Sequence, residues 1–525
     1  MHRDLFSLLI AAALLPLFSI MPSYGETPAG APVPWDEIRK TAEDFVAKES
    51  PPSVWPFERP SYDVLASRPN KVFAHFFLPF LLSADNKPAA DDYYSQVLLS
   101  PDASDRLLVG NGGYKRGGGG VLRQRPLPVG PWASPYWRQI NFAIEILRAR
   151  EMGIDGFTCD MLTVQPGPLW DGLLMLMDTA AAVAPDFHIV LMPDMSSLKK
   201  QTDKLEDALV LLAQCPAAYH LADGRLLISA FDGQSPSPQY WKQLLANLAR
   251  RGVPAAYLPV FLGYEDMAKN GAAFASLSYG MSDWGFRDIA FARQFHFQDA
   301  KKLAAPYTSV WMMPVASQDV RPKDLIAWEP QNTNSFRYLW KAAISGGSQY
   351  VQLVTWNDYS EAAEVSPSSD TQYLFYDLSA YYTAWFKTGQ PPRIEQDAIY
   401  YCHRSQIIPL PGGAAKQSHS FTWAGKTPFE NKVEMVALLT APATLEIDQG
   451  GGVERHEAQA GLTAFSVQAR VGRPVFRIVR NGKVTLETTS VWKISDKGIV
   501  ENPIYFGGSS TRVWAPSPDT IAAHQ

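Results

Sequence analysis

Short runs of β-branched and aromatic residues alternate along this chain with longer segments of helical periodicity. Eight short runs read as strands, at residues 72–78, 154–159, 188–192, 225–231, 257–261, 274–281, 309–313 and 350–355. The segments between them place apolar residues three and four positions apart, which predicts amphipathic helices. These helices fall at residues 136–150, 170–184, 202–213, 240–251, 288–303, 335–344 and 373–387. Strands that each lead into a helix predict an α/β protein whose parallel sheet closes into a (β/α)8 TIM barrel, although the helical pattern after the fifth strand is weak.

The pattern changes to strands alone after Pro391 and Pro392. Alternating runs occupy residues 433–439, 443–447, 464–467, 475–479 and 484–488. Turn signals separate them, and the Asn481-Gly482 pair is typical of a tight hairpin. The chain therefore predicts a β-sandwich-like C-terminal domain, which fits either a structural domain packed against the barrel or a sugar-binding module.

The first residues have the features of a targeting segment. Arg3 precedes an apolar run at residues 5–20, and small residues follow at 23–25. This order predicts a signal peptide at residues 1–25 and export of the protein, with an uncleaved N-terminal anchor as the alternative. We expect a linker and N-terminal extension at 26–70, the barrel at 71–390 and the β-rich domain at 391–525, with the folded part starting near Lys71.

Composition and charge narrow the possible partners. The 525 residues are 46% hydrophobic, enough for a barrel and a second domain. A net charge of −5 provides no basic surface for nucleic acid, and a neutral ligand fits it better. Beyond the signal there is no long uncharged apolar stretch, so no membrane association is expected once it is removed. Cys159, Cys215 and Cys402 are too few and too widely spaced for a disulfide framework or a zinc pattern, and buried free thiols are the preferred interpretation.

A glycine-rich stretch interrupts the pattern between the first strand and the first full helix. It spans about residues 79–135 and includes the glycines at 110–120. Its spacing is not that of a phosphate-binding loop. A mobile loop over the cleft and a simple surface insertion fit it equally well.

The predicted strand ends are unusually acidic. A (β/α)8 barrel builds its active site at the carboxyl ends of its strands, so the residues there are candidates for chemistry. Asp is common in turns and at helix N-caps, but five at separate strand ends together with a Glu exceed that expectation. The candidates are His75, Asp160, Asp194, Asp232, Asp283 and the segment at residues 356–361 (WNDYSE).

Two of these acids have the spacing that glycoside hydrolysis requires. One carboxylic acid must protonate the leaving oxygen, and one carboxylate must activate water or attack the sugar. Asp358 and Glu361 lie three residues apart on one predicted loop, so both can face the cleft. We predict that they are the catalytic pair, with N-caps or rim ion pairs as the alternative.

Aromatic residues near the acids fit a sugar-binding cleft, because sugars stack their apolar faces on aromatic rings. Trp284, Trp311, Trp356 and Tyr359 lie at predicted strand ends, although each also fits a core position. The predicted substrate-binding residues are His75, Asp160, Asp194, Asp232, Asp283, Trp284, Trp356, Asn357 and Tyr359. His75 would donate a hydrogen bond to substrate or lie satisfied within the barrel.

Other hydrolytic chemistries lack their motifs. A serine hydrolase would place Gly-x-Ser-x-Gly after a strand, and the chain has no such segment. The nine histidines are scattered, with no HExxH or HxH spacing, so no metal site is predicted.

Four segments resemble glycoside hydrolase family 71, the endo-α-1,3-glucanases or mutanases. They are residues 72–75 (VFAH), 153–157 (GIDGF), 193–195 (PDM) and 355–361 (TWNDYSE). The last is the most specific, because it resembles the family's TWNDYGE with Ser360 in place of Gly. The resemblance covers residues 71 to about 387 and implies a (β/α)8 barrel followed by β structure, inverting hydrolysis of α-1,3-glucan and no cofactor. It places the family's Asp and Glu on Asp358 and Glu361 without assigning acid and base.

The sequence thus predicts an exported endo-1,3-α-glucanase with a polysaccharide substrate. Two alternatives stay open. The first is a hydrolase of another α-glycan or a mannan-like polymer. The second is a non-catalytic glycan-binding protein on the same barrel scaffold.

Overall fold

The structure is a computed structural model that describes residues 32–100, 121–294, 305, 308–414, 417, 419–512 and 514. Several predicted segments fall wholly or partly outside these residues. They include the signal peptide at 1–25, the first residues of the extension at 26–70, the glycine-rich segment at 110–120, the second half of the helix at 288–303 and the last residues of the domain at 391–525.

Eight parallel strands form a closed barrel, which confirms the predicted fold class. The ring closes where the first and last strands pair, with Lys71 opposite Tyr350. The barrel strands are β1 (Lys71–Phe76), β2 (Gly156–Met161), β3 (His188–Pro193), β4 (Leu226–Phe231), β5 (Ala255–Phe261), β6 (Gly280–Asp283), β7 (Val310–Ala316) and β10 (Tyr350–Val354). The connection after β7 carries a hairpin of β8 (Val320–Arg321) and β9 (Ile326–Trp328).

Alternation along the strands separates two apolar layers. Phe73 of β1 belongs to a cluster inside the barrel, whereas its neighbours Val72 and Ala74 pack in the layer shared with the helices. Because strand side chains alternate between faces, His75 shares the inner face with Phe73. This alternation brings polar residues of several strands into one interior.

The helices surround the barrel and begin with recognisable signals. Ser61 and Ser237 cap two of them by accepting hydrogen bonds from Val64 N and Tyr240 N, and Pro238 occupies the first turn of the second. The helices are α1 (Trp35–Glu49), α2 (Tyr62–Ala66), α3 (Trp137–Glu151), α4 (Pro168–Val183), α5 (Thr202–Leu212), α6 (Pro238–Arg250), α7 (Tyr264–Phe274), α8 (Ile289–Gln294), α9 (Asn334–Ser345) and α10 (Leu374–Thr388). Short 3-10 segments lie at Pro52–Val54, Leu198–Lys200 and Ala275–Leu277, and a π-helical turn lies at Tyr94–Leu98.

The folded part begins before Lys71, contrary to expectation. Helix α1 buries Ile38, Ala42 and Val46, which are spaced four residues apart and form one apolar stripe. It packs against α3, and Glu49 at its end forms a 2.5 Å ion pair with the buried Arg148. The N-terminal extension is therefore partly a packed layer over the barrel.

The predicted strand at residues 274–281 is largely wrong. Helix α7 runs to Phe274 and a 3-10 turn follows it, so β6 is reduced to Gly280–Asp283. The small and apolar residues in this stretch fit both the helical and the strand repeat of apolar positions. Only packing against β5 and β7 selects the short strand.

The C-terminal region consists of two four-stranded antiparallel sheets, which confirms the predicted β-sandwich. Their orders are β16-β13-β11-β19 and β15-β14-β17-β18, and an apolar layer that includes Val433, Leu445 and Phe476 lies between them. The strands are β11 (Ala398–Arg404), β12 (Thr422–Ala424), β13 (Lys432–Leu439), β14 (Ala443–Asp448), β15 (Val453–Ala458), β16 (Gly461–Gln468), β17 (Val475–Arg480), β18 (Lys483–Thr489) and β19 (Tyr505–Ser509). Sequence analysis missed β11, β12, β15 and β19. Strand β12 pairs in parallel with β9 and so joins this region to the barrel.

The three cysteines are free thiols, with Cys159 and Cys402 buried and Cys215 partly exposed. In the part of the chain that the structure describes, no helix is both long enough and apolar enough to span a bilayer.

Candidate active site

The predicted rim residues converge at one end of the barrel. His75 and Asp160 lie late in β1 and β2, Asp194 and Asp232 directly follow β3 and β4, and Asp283 ends β6. The segment at residues 356–361 follows β10. All strands of the ring run in the same direction, so their carboxyl ends meet at one mouth.

Asp358 is fixed by a turn of its own making. Its Oδ1 accepts hydrogen bonds from Ser360 N at 2.9 Å, Ser360 Oγ at 2.7 Å and Glu361 N at 3.2 Å. Among the described residues, no hydrogen bond reaches Oδ2. Burial raises the pKa of Asp358, whereas the bonds from Ser360 and the charges of Lys323 and Arg321 favour the ionised form. One oxygen therefore anchors the turn and the other remains available for chemistry.

Glu361 is held in a different environment. The side chain of Arg321 approaches it, with Nη2 at 3.1 Å from Oε1. Burial raises the pKa of Glu361 to about 8, and Arg321 opposes that rise while Asp319 and Asp358 add to it. The residue is 8% exposed and its carboxyl is mostly protonated at neutral pH. Glu361 thus has the protonation state that a general acid needs.

Asp160 and His75 form a buried pair inside the barrel, and burial disfavours the charged form of each side chain. Burial, followed by the charges of Asp194 and Asp358, holds the pKa of Asp160 well above its usual range. Burial also lowers the pKa of His75 to about 3, and its Nε2 lies 3.9 Å from Asp160 Oδ2. Within the described residues, Asp160 Oδ1 has no hydrogen-bond partner. A buried polar atom without a partner fits contact with a ligand hydroxyl.

Asp194 and Asp232 are engaged in their own loops. Ser196 and Ser197 donate backbone and hydroxyl hydrogen bonds to the Asp194 carboxylate at 2.6 to 3.1 Å. Asp232 adopts a left-handed backbone conformation with φ 52° and accepts a hydrogen bond from Gln234 Nε2 at 2.8 Å. Burial and the charge of Asp194 raise the pKa of Asp232 to about 7. Both residues lie at the mouth of the barrel, and each also accepts hydrogen bonds from residues of its own turn.

Asp283 and Trp284 lie at the carboxyl end of β6. Asp283 Oδ1 accepts from Gly285 N at 2.9 Å, and burial raises its pKa to about 6. Gly285 has φ 78° and a Cβ there would meet Pro314, so the turn requires glycine. The Trp284 ring packs edge-on against His75, with ring centroids 4.9 Å apart. It belongs to the cluster inside the barrel.

Three predicted substrate-binding residues instead lie behind the mouth. The fully buried Trp356 donates its Nε1 hydrogen to Glu145 Oε2 at 2.9 Å. Asn357 bonds the backbone of Phe77 and Phe80, and the Tyr359 hydroxyl lies 2.8 Å from Ser366 Oγ. These side chains have no surface left for a ligand, because they fill the space between the turn and its neighbours.

Trp311 is a core residue. It is the second residue of β7, at the amino end of the strand, and belongs to the cluster shared with the helices. Its side chain therefore lies far along the strand from the mouth, in the core position that the sequence also allowed for it.

Sequence reasoning missed four charged residues around the acids, namely Arg287, Asp319, Arg321 and Lys323. Asp319 binds Arg321 through both oxygens, with Nε to Oδ1 at 2.9 Å and Nη2 to Oδ2 at 2.8 Å. Arg287 Nε lies 3.7 Å from the same carboxylate. The Asp-x-Arg spacing at residues 319–321 was the one sequence signal for these charged residues. It does not reveal that Arg321 contacts Glu361. Across the described ranges, no three Asp, Glu, His or Cys side chains are grouped to hold a metal ion.

Comparison with known proteins gives a family match and two distant relatives. The model described as "Glycosyl hydrolase family 71" matches residues 132–505. A glucan endo-1,3-alpha-glucosidase of Schizosaccharomyces pombe is 22% identical over 369 residues, which cover 65% of this chain and 84% of that protein. A mutanase of Penicillium rubens is 23% identical over 188 residues, covering 33% of this chain and 41% of that protein.

Among solved structures, a GH99 endo-alpha-mannosidase from Bacteroides thetaiotaomicron is similar with a TM-score of 0.43 and 12% identity. The similarity covers 60% of this chain and 97% of that one. Since the family model matches well over half of the chain and spans the acidic mouth, this protein belongs to glycosyl hydrolase family 71 and is a glycoside hydrolase.

Proposed function

We propose that this protein is an exported endo-1,3-α-glucanase that hydrolyses α-1,3-glucan with inversion. Two relatives with the printed activities of a glucan endo-1,3-alpha-glucosidase and a mutanase support the substrate. The apolar, small-residue pattern at residues 1–25 supports export. The observation that carries the proposal is a single turn after β10 that bears two buried carboxyl groups in contrasting environments.

The contrast between these environments supports one assignment of the acid and base roles. Glu361 keeps its proton at neutral pH and is the general acid, which protonates the glycosidic oxygen as the bond to the anomeric carbon breaks. Asp358, whose Oδ1 accepts three hydrogen bonds, is the general base. It removes a proton from the water that attacks the anomeric carbon from the opposite face. The reaction leaves Glu361 ionised and Asp358 protonated, and proton exchange with solvent restores both.

Six further residues are proposed to bind the sugar at the cleaved bond. Trp284 offers an apolar ring inside the barrel, and the His75 and Asp160 pair offers buried hydrogen-bonding groups. Asp194, Asp232 and Asp283 provide acceptors at the mouth. For Trp356, Asn357 and Tyr359 we propose a structural role in place of substrate contact, because their side chains are buried and bonded within the protein.

Product analysis on insoluble α-1,3-glucan tests the proposal. We expect soluble oligosaccharides from internal cleavage, released initially as the β-anomer, as followed by NMR. A parallel panel of other α-glycans and mannan should release far less reducing sugar. Release of the α-anomer would overturn inversion, and preferential cleavage of another polymer would overturn the substrate.

Site variants test the assignment of the acids. Asp358→Asn and Glu361→Gln should each lower kcat by about 100-fold or more while the protein stays folded. Asp223→Asn, which changes an Asp that pairs with Arg225 just before the amino end of β4, is the matched control and should keep normal turnover. Near-normal activity in both site variants would rule out this catalytic pair.

A further inference from the structure

The connection between β7 and α9 contacts Glu361, the proposed general acid. Val320 N donates a hydrogen bond to the backbone oxygen of Glu361 at 2.7 Å, and Arg321 Nη2 lies 3.1 Å from Glu361 Oε1. The hairpin and the turn after β10 are thus joined through backbone and side chain. Forty residues of chain separate these contacts, so folding alone creates them.

Asp319 controls how Arg321 presents its charge. Both carboxylate oxygens of Asp319 accept from the guanidinium, a two-point geometry that fixes the plane of the group. Asp319 is 1% exposed, so water does not screen the pair. The same Nη2 atom lies near both carboxyl groups, so Arg321 is shared between Asp319 and Glu361.

The C-terminal region braces the hairpin that carries these residues. Strand β12 pairs with β9, and Thr422 N donates to Leu325 O at 2.7 Å. Asp288 after β6 accepts hydrogen bonds from Lys426 N at 3.0 Å and Thr427 N at 2.7 Å. Gly425 permits this approach, since a Cβ there would clash with the Asp288 carboxylate. Arg321 therefore has little freedom to leave Glu361.

We propose that Asp319 is a positioning residue that orients Arg321, offsets its charge and thereby sets the proton affinity of Glu361. The inference rests on the proposed role of Glu361 as the general acid. Facing Arg321 without Asp319, Glu361 would be stabilised as a carboxylate and would have no proton to transfer. With Asp319 in place, the positive charge is divided and the acid keeps its proton.

The other charges around Glu361 are also accounted for. Arg321, Asp319, Asp358 and Arg287 act on it directly. Behind them, Lys323 acts on Asp358, Asp324 acts on Arg321 and Asp283 acts on Arg287. None of these outer groups lies between Asp319 and Arg321, whose two hydrogen bonds make them the nearest opposing pair.

Opposite shifts of the basic limb of the kcat/KM pH profile test the proposal. Asp319→Asn removes a negative charge yet keeps one acceptor oxygen for Arg321, so it should move the basic limb to lower pH by about one unit. Arg321→Met removes the positive charge and should move that limb to higher pH by about one unit or more. Because Asp319 is proposed to act through Arg321, an unmoved limb in either variant overturns the inference, so failure of one variant to fold does not prevent the test.

Glu329→Gln is the matched control for a loss of stability in the connection between β7 and α9. Glu329 is buried and bonds Arg404 and Tyr505 of the C-terminal region, and it is not among the groups that act most strongly on Glu361. This variant should lose stability without moving the limb. If Asp319→Asn and Arg321→Met behave in the same way, with lower stability and an unmoved limb, Asp319 is merely structural and the inference fails.

Glu361→Gln distinguishes a wrong acid assignment for Glu361 from a wrong positioning role for Asp319. Its residual activity should lack the basic limb altogether. If Glu361→Gln retains the wild-type limb, the acid assignment itself is wrong. If it loses the limb but the Asp319 and Arg321 variants do not shift it, the proposed function stands and only the positioning role is lost.

Discussion

The indole Nε1 of Trp356 donates a hydrogen bond to Glu145 Oε2 at 2.9 Å. Trp356 opens the turn that carries Asp358 and Glu361, and Glu145 lies on helix α3 in the layer outside the barrel. The contact therefore ties the turn that bears the proposed catalytic pair to helix α3. Glu145 is buried, and its other carboxyl oxygen has no hydrogen-bond partner within the described residues.

Glu145 should make stability depend on pH. Burial raises its pKa from 4.5 to about 7, so the favourable contribution of the neutral form is complete below about pH 4.5 and is lost as pH rises through 7. Glu145→Gln cannot ionise and still offers an oxygen to Trp356. Its melting temperature relative to wild type should therefore rise between pH 5 and pH 8, by an amount corresponding to about 1 to 3 kcal/mol. A difference that stays constant across this range would contradict the raised pKa.

Trp356 and Trp284 should respond differently to substitution. Trp356→Phe keeps an aromatic ring but leaves Glu145 without its donor, which should cost about 1 to 3 kcal/mol in unfolding free energy. Its KM for α-1,3-glucan oligosaccharides should stay near that of wild type. Trp284→Ala removes the ring inside the barrel and should raise KM or lower kcat/KM by about tenfold or more.

Steady-state kinetics and thermal unfolding of the two tryptophan variants distinguish these roles. A large increase in KM for Trp356→Phe, with unchanged stability, would restore the substrate contact that sequence analysis predicted. Unchanged kinetics for Trp284→Ala would remove it from the proposed sugar-binding residues.

The wild-type pH profile should be bell-shaped. In the proposed mechanism Asp358 must be ionised, so activity is lost as pH falls through its pKa, which burial holds above the ordinary value. Glu361 must be protonated, so activity is lost as pH rises through about 8. Measurement of kcat/KM from pH 3 to 10 on a soluble oligosaccharide checks both limbs, and a profile flat above neutrality would contradict the acid role of Glu361.

Ser360 should tune the acidic limb. Its hydroxyl donates to Asp358 Oδ1 at 2.7 Å, a bond that the glycine of the family's TWNDYGE motif cannot make. Ser360→Ala removes this bond but keeps the backbone one, so the pKa of Asp358 rises. Activity on the acidic side should then be lost at a pH higher by about one unit. Ser366→Ala, which changes a hydroxyl bonded to Tyr359, is the control and should leave the limb in place.

Much of the barrel was predictable because its determinants are local. Strand runs such as those around β3 and β4 are short, apolar and bounded by turn residues, so their ends fall within a residue or two of prediction. The exception is residues 274–281, whose composition fits both a helix and a strand. Contacts with β5 and β7 determine where the strand lies in this segment. The helix α1 stripe of Ile38, Ala42 and Val46 was readable, but a preceding segment rich in Pro, Ala and Gly obscured it.

The sequence by itself determined which residue types stand at the strand ends and that Asp358 and Glu361 share one turn, since both facts depend only on order along the chain. The tertiary structure alone decided what surrounds them. The fold buries the side chains of Trp356, Asn357 and Tyr359. It also brings Arg321 into contact with Glu361, which lies forty residues further along the chain. Burial and electrostatic interaction act through space, and the pKa of each carboxyl is set by neighbours that chain order does not reveal.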